Sequence, residues 1–370
     1  MRLRDIRLIN YRNCKDLELN LDSDKVLITG KNAQGKTNIL ESIYFLSTLK
    51  SVRTSNNLEL INFDEEKAQI SCNLIKSDTD IELDFSYSRD KKRELALNKV
   101  KTTPKNFKTA LKTVLFSSAD LMLLRGNPSD RRDWLDRAIS QIYPVMDERL
   151  SKYDKIRIQK NNLLKDYLKT GQINNTLLDV YNEQLVITGS NIICLRQKFL
   201  KEIERIAQEK HHIISNDEEL TVEYGCSFKS DGSLEDIVQN FKSEIEAKRE
   251  EEMRRGQSCV GPHRDDIIFY INGNESTKYA SQGQQRTIVL ALKLSESDII
   301  TQKTGDEPVL LLDDVLAELD DIRQNYLLKS INERTQTIIT STDTLLFEDE
   351  FLEGVKIYKI ENGKLVKLKS

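Results

Sequence analysis

The stretch Gly30-Lys-Asn-Ala-Gln-Gly-Lys-Thr37 constrains this chain more than any other. Four residues separate its glycines and Lys-Thr follows directly, which is the spacing of a phosphate-binding loop. Gly30 and Gly35 let the backbone turn its N–H groups toward phosphate oxygens. Lys36 carries a mobile positive charge to the β- and γ-phosphates, and the Thr37 hydroxyl can ligate Mg²⁺. Lys31, Asn32, Ala33 and Gln34 form the loop between the glycines, and Asn38 follows in the first helical turn. The context agrees. An apolar, β-branched run, Lys25-Val-Leu-Ile-Thr29, precedes the loop, and Ile39, Leu40, Ile43, Tyr44 and Leu46 recur behind it at helical spacing. A buried strand therefore runs into a helix N-terminus, where the macrodipole favours anions. The stretch predicts a nucleoside triphosphate site.

With 370 residues the chain has room for two or three structural units. Its 56 Lys+Arg against 60 Asp+Glu give a formal charge of −4, which excludes a uniformly basic DNA-coating protein but allows a basic face. No apolar run approaches the roughly 18 residues of a membrane span and no signal-peptide pattern opens the chain, so a cytoplasmic protein is expected. Cys14, Cys72, Cys194, Cys226 and Cys259 are scattered without a CxxC pair, as expected of reduced packing thiols. His211 and His212 are adjacent and have no nearby Cys, which argues against zinc.

Residues 1–117 alternate apolar with polar side chains over 2–9 and 17–21, and again over 68–75, 81–87 and 94–98, as antiparallel strands do. Arg2, Arg4, Arg7 and Arg12 give this end a basic excess, read as a solvated strand face or as phosphate contacts. Residues 118–258 change to long, charged helical segments. Pro128 opens a helix carrying Arg131, Arg132 and Trp134, two residues for which salt bridges or ligand contacts are open and one apolar anchor. Two apolar stripes (Tyr153, Ile156, Leu163, Tyr167; Ile192, Leu195, Phe199, Ile203, Ile206) predict paired helices about the turn 170–175, a short arm of about 50–60 Å for helices of about 35–40 residues. From 259 to 370 an α/β texture returns. Ile267–Ile271 and Ser276–Tyr279 flank Asn272-Gly273 as a hairpin, 284–300 is helical, and 335–340 is a buried strand. Asn362-Gly363 turns a last hairpin bearing Lys356, Lys359, Lys364, Lys367 and Lys369, which guard an edge or touch DNA. An α/β nucleotide fold interrupted by a helical insertion follows.

The apolar strand Pro308-Val-Leu-Leu-Leu-Asp313 delivers Asp313 and Asp314 at its C-terminal tip, the sheet edge where ligands bind. Asp313 is placed to hold Mg²⁺ and Asp314 to orient or deprotonate an attacking water. Ser281-Gln-Gly-Gln-Gln285 precedes a helix whose first residues would meet an anion, or Ser281 simply caps it.

That segment is similar to the signature motif of ABC-type ATPases, and with it the whole chain resembles the RecF family, SMC-like ABC ATPases of DNA replication and repair. The resemblance rests on Gly30 to Thr37, Leu46-Ser-Thr-Leu-Lys-Ser-Val-Arg-Thr54, and Arg131-Arg-Asp-Trp-Leu-Asp136. It continues through Gly261-Pro-His-Arg-Asp-Asp266, Ser281 to Arg286, and Asp313 to Asp320, in the family's order. It implies an ABC-type head divided by a helical arm: 1–117 as the N-terminal part (lobe I, Walker A), 118–258 as the arm (lobe II), and 259–370 as the C-terminal part with signature, Walker B and D-loop. It implies a homodimer around two ATP molecules with Mg²⁺. Lys36 and Thr37 of lobe I serve one nucleotide, while lobe II presents Ser281, Gln282, Gly283 and Gln284 to it in trans. Asp320 lies at the dimer seam. Thr340 and Ser341 stand where transporters place a switch histidine, which suggests slow hydrolysis. It also implies binding of duplex DNA and single-strand/double-strand junctions, and partnership with RecO and RecR in loading RecA at gaps. Lys50 and Arg53 are candidate DNA or phosphate contacts. The chain departs from the family pattern at Ala33 and Ala317, and segment 116–120 lacks a glutamine. The rival readings are a transporter-like ATPase subunit, or an ATP-switched DNA clamp with incidental hydrolysis.

Overall fold

The computed structural model describes residues 1–215, 218–331, 335–344, 347 and 349–366, side chains 349 and 350 excepted. The strands are β1 Arg2–Tyr11, β2 Cys14–Asn20, β3 Lys25–Thr29, β4 Lys67–Lys76, β5 Thr79–Ser88, β6 Arg93–Leu97, β7 Val100–Lys101, β8 Thr113–Ser117, β9 Leu220–Gly225, β10 Asp266–Ile271, β11 Asn274–Glu275, β12 Val309–Asp313, β13 Thr337–Ser341, β14 Lys356–Glu361 and β15 Lys364–Val366. By packing, the chain forms two compact units, Met1–Asp120 with Arg286–Ser370, and Leu121–Gln285.

The first unit holds two sheets. One is antiparallel in the order β2-β1-β4-β5-β6-β7. In β1 the buried side chains Leu3, Ile6 and Leu8 break strict alternation. A register shift between Leu3 and Asp5 explains this, since one extra residue returns both halves to the same face. The other sheet runs β15-β14-β3-β13-β12-β8, parallel except for β15. Its central strand β12 is covered on both faces, which is why Val309–Leu312 reads as an unbroken apolar run. The helix Lys36–Thr48 and both sheets share one core that includes Phe45, Phe85, Leu111, Leu311 and Ile338. The N-terminal arginines are paired: Arg2 with Asp22 at 2.7 Å, Arg4 with Asp80 at 2.7 Å, Arg7 with Asp16 at 3.2 Å and Arg12 with Glu41 at 2.7 Å. Three of these pairs are solvated, while the Arg12–Glu41 pair is buried. Of the hairpin lysines, Lys356 donates to Asn20 and Lys359 pairs with Glu361, while Lys367 and Lys369 lie outside the described residues.

In the second unit Asn127 and Asp130 form a capping box on the helix Pro128–Ile142. The paired helices are Val145–Thr170, closed by Gly171 at φ 69°, and Asn175–Ser215. Their lengths are unequal, 26 and 41 residues, so only the second matches the expected span, at about 60 Å. The first stripe also shifts. Leu164 and the aliphatic stem of Lys160 are buried beside Tyr153 and Ile156, with Leu163 and Tyr167 half-buried. Lys160 reads as a surface residue in sequence, but Glu252 accepts from its Nζ at 2.6 Å. After Asn272-Gly273 the returning strand β11 is only two residues long, and Ser276–Tyr279 turns into a short helix instead of the expected strand. Strand β10 pairs with β9, so residues 259–285 fold with the helical unit, and the unit ends at Gln285 and not at 258. No helix among the described residues is long and apolar enough to cross a membrane.

Candidate nucleotide site

The loop between β3 and the helix Lys36–Thr48 takes positive φ at Gly30 (154°), Ala33 (64°) and Gly35 (107°). A Cβ at Gly30 would stand 2.4 Å from the Ile360 carbonyl oxygen, so glycine is required there by contact as well as by φ. Ala33 adopts the left-handed conformation with its methyl in place, at a cost of about 1–2 kcal/mol. No side chain caps the helix and no acid lies in its first turn, so its orphan N–H groups face an open cleft of about 700 Å³.

Lys36 Nζ folds back onto the Gly30 carbonyl at 2.8 Å and lies 3.8 Å from Asp314 Oδ2. Thr37 Oγ1 donates to Asp313 Oδ1 at 3.0 Å, across 276 residues of sequence. Parallel pairing of β3, β13 and β12 makes this contact, because it brings three C-terminal strand ends into register. Asp313 Oδ1 also accepts from Thr340 Oγ1 at 2.8 Å, and that hydroxyl accepts the Asp314 N–H at 2.9 Å. Burial raises the Asp313 carboxyl, against the two hydroxyl donors that favour its anion. A hydroxyl beside a desolvated carboxylate is a hard-oxygen pair suited to Mg²⁺, which takes few protein ligands and completes its shell with phosphate and water. Asp314 sits at φ 52° and its carboxylate, 39% exposed, lines the cleft.

The expected residues Asn32 to Asn38, Asp313 and Asp314 thus line one cleft, together with Arg53. Arg53 donates to Asn38 Oδ1 at 2.7 Å, and Lys50 is exposed. Thr340 and Ser341 are buried, the first committed to Asp313 and the second with no hydroxyl partner among the described residues. Asp320 caps the helix Asp321–Ser330 and pairs with Arg323. Ser281 belongs to the second unit, where it and Gln284 form a reciprocal cap, with Ser281 and Gln282 exposed.

Sequence reasoning missed the loop's supports. Asn13, in the turn between β1 and β2, donates to the Gln34 carbonyl at 3.3 Å and accepts from Asn38 at 2.7 Å. The last hairpin holds the loop from another side, with Asn362 N–H on Gln34 Oε1 at 2.6 Å and Gly363 N–H on the Gln34 carbonyl at 2.9 Å. Buried Glu41, one turn into the helix, binds Arg12. Only Glu41 left a trace in the sequence, as a charge on an otherwise apolar helical face.

A phosphate loop, an acid-tipped parallel strand and a stacked antiparallel sheet, with a helical insertion between them in sequence, define an ABC-type ATPase head. Residues 2–365 match the RecF/RecN/SMC N-terminal domain family. The chain is 40% identical to the DNA replication and repair protein RecF of Bacillus subtilis over 370 residues, which is 99% of this chain and 100% of the relative. It is 39% identical to RecF of Bacillus velezensis over the same shares. The solved structure of the recombination mediator protein RecF-ATP in the RecFOR pathway superposes with a TM-score of 0.91 at 35% identity, covering 99% of this chain and 97% of that one. The Smc head bound to the C-terminal winged-helix domain of ScpA shares the fold alone, with a TM-score of 0.55 at 14% identity over 100% and 98%. The chain belongs to the RecF family of DNA replication and repair proteins.

Proposed function

We propose that this chain is an ATP-dependent DNA-binding protein of recombinational repair. ATP occupies the cleft, with its phosphates on the 30–38 loop and Mg²⁺ held by Thr37 and Asp313. Asp314 positions or deprotonates the attacking water, and Lys36 stabilises charge on the transferred phosphate. ATP draws two copies together so that Ser281 to Gln284 of one reach the nucleotide of the other, with Asp320 at the seam. The dimer binds duplex DNA and single-strand/double-strand junctions, and with RecO and RecR it promotes RecA loading at gaps. Weak, DNA-stimulated hydrolysis resets it, in the cytoplasm on the nucleoid. The observation that carries this reading is the Thr37–Asp313 hydrogen bond of 3.0 Å beside an uncapped helix N-terminus.

Slow turnover has its own support. The Thr340 hydroxyl stands where a switch base would act, yet it is buried and committed to Asp313 and the Asp314 N–H. This favours a clamp timed by slow hydrolysis over a fast ATPase. Sedimentation velocity of Asp314→Asn tests the reading. It should be a dimer with ATP and a monomer with ADP, and a monomer under both conditions, with ATP bound equally, would overturn the action in trans.

A further inference from the structure

We propose that the second unit carries its own binding site for a phosphoryl oxyanion, built on Arg132, Arg157 and Arg264 around His263. The site is an open cavity of about 410 Å³ lined by residues of this unit. Its three open arginines contrast with Arg196, which also lines it, and with Arg131 nearby. Arg131 is neutralised by Asp266 through two bonds of 2.6 and 2.8 Å, and Arg196 by Asp136 through two of 2.8 Å. Arg132 and Arg264 have no carboxylate within ion-pair reach among the described residues. Arg132 donates to the Asp265 carbonyl at 2.6 Å and Arg264 to the Ser258 carbonyl at 3.0 Å. Among the described residues Arg157 pairs only with the exposed Asp154, at 3.1 Å.

His263 lines the same cavity as the three arginines. Its Nδ1 accepts from the Tyr153 hydroxyl at 2.8 Å and its Nε2 lies 3.3 Å from the Ser258 carbonyl, which fixes a neutral tautomer with the proton on Nε2. Burial pushes this imidazole down to about 3, and Arg157, Arg264 and Arg132 each push in the same direction. Three guanidinium groups lining one cavity attract an anion into it. Asn161 adds a donor, since its Oδ1 is taken by the Ser258 N–H and hydroxyl and its N–H₂ group is left over. Four lining arginines (Arg132, Arg157, Arg196, Arg264) against three lining aspartates (Asp133, Asp136, Asp154) leave the cavity net positive. Guanidinium forks match tetrahedral oxyanions, which makes a phosphate group the best-fitting ligand. Its source is either a nucleic-acid phosphodiester, a choice that rests on the DNA reading above, or free phosphate, which does not.

The test uses the full chain carrying Lys36→Met, so that the phosphate loop no longer contributes. Inorganic phosphate is titrated calorimetrically at constant ionic strength, with and without Arg157→Gln and Arg264→Gln. The pair should weaken phosphate binding about tenfold or more. Equal phosphate affinity in the two proteins, or no phosphate binding by either, would overturn the site. The source is then read with Lys36 intact and ATP present, by anisotropy of a gapped duplex across salt concentration. A salt slope reduced by about one to two assigns the site to a strand phosphate, and an unchanged slope assigns it to free phosphate. A parent that binds phosphate but no DNA would sink the DNA reading and leave the site standing. Melting in chloride checks folding, and Arg264→Gln alone, at an exposed position, serves if the pair destabilises the unit.

Discussion

The turn Gly261–Asp266 and the phosphate loop are both short, glycine-led segments crowded with charged neighbours, and they use their polar groups in opposite ways. On the buried side of the turn the polar groups are taken. Asp265 accepts from Tyr224 and from the Ser227 N–H, Asp266 holds Arg131, and Arg196 divides its donors between Asp136 and the Pro262 carbonyl. Gly261 at φ 123° has no room for a side chain, since a Cβ would stand 2.3 Å from the Tyr153 hydroxyl. Around the phosphate loop the helix N–H groups lack a cap, a non-glycine residue is held at positive φ, and a desolvated aspartate has only hydroxyl donors. Satisfied polar groups specify a fold, whereas unsatisfied and strained ones await a ligand. The buried groups of Gly261–Asp266 thus act in structure, with exposed Arg264 left to the anion proposed above, and the open groups of Gly30–Asn38 favour binding.

The largest expected effect breaks the structural side. Arg196→Met leaves Asp136 buried without its partner, and should cost about 3–5 kcal/mol in urea unfolding. Adding Asp136→Leu should recover much of that loss, because two apolar groups replace a pair that was costly to desolvate. ATP affinity per folded molecule should stay put in both variants. A loss of ATP binding without a loss of stability would reverse the assignment of the two regions.

On the binding side, Asp314→Asn should lower turnover about 100-fold while ATP affinity changes less than about threefold. Single-turnover hydrolysis and equilibrium nucleotide binding measure the two. Wild-type turnover would remove Asp314 from the chemistry, and lost ATP binding would recast it as a partner of Lys36.

Much of the first region was legible because its signals are local. Two glycines, a lysine and a threonine at fixed spacing need no knowledge of the rest of the chain, and an apolar run ending in Asp313-Asp314 declares a buried strand tip. Thr37 meeting Asp313 was foreseeable only because parallel strands align their C-terminal ends. What stayed hidden depends on partners remote in sequence. Asn13 and Asn362 read as ordinary turn residues, yet both fasten Gln34. Lys160 reads as a solvated helix charge until Glu252, 92 residues on, pairs with it in the interior. The unit's end, expected at 258 and found at Gln285, was hidden for the same reason, since composition cannot reveal that β10 pairs with β9.

The smallest effect sharpens the contrast through His263. Its imidazole is pushed from 6.5 down to about 3 in the folded protein. Between those limits the unfolded chain takes up a proton that the folded chain refuses, so stability present above pH 6.5 is lost as pH falls. The slope is at most about 1.4 kcal/mol per pH unit, or about 2 kcal/mol between pH 6.5 and 5. His263→Gln should flatten that part of the profile, measured by urea unfolding in chloride. An unchanged slope would mean that other groups carry the acid sensitivity. Repeating the wild-type series in phosphate separates the two uses of the turn. An anion seated among Arg132, Arg157 and Arg264 offsets their charge and lets His263 protonate more easily. The slope then shallows at the acid end of the profile, as the pH nears the folded value of about 3. A purely structural turn gives the same slope in both salts.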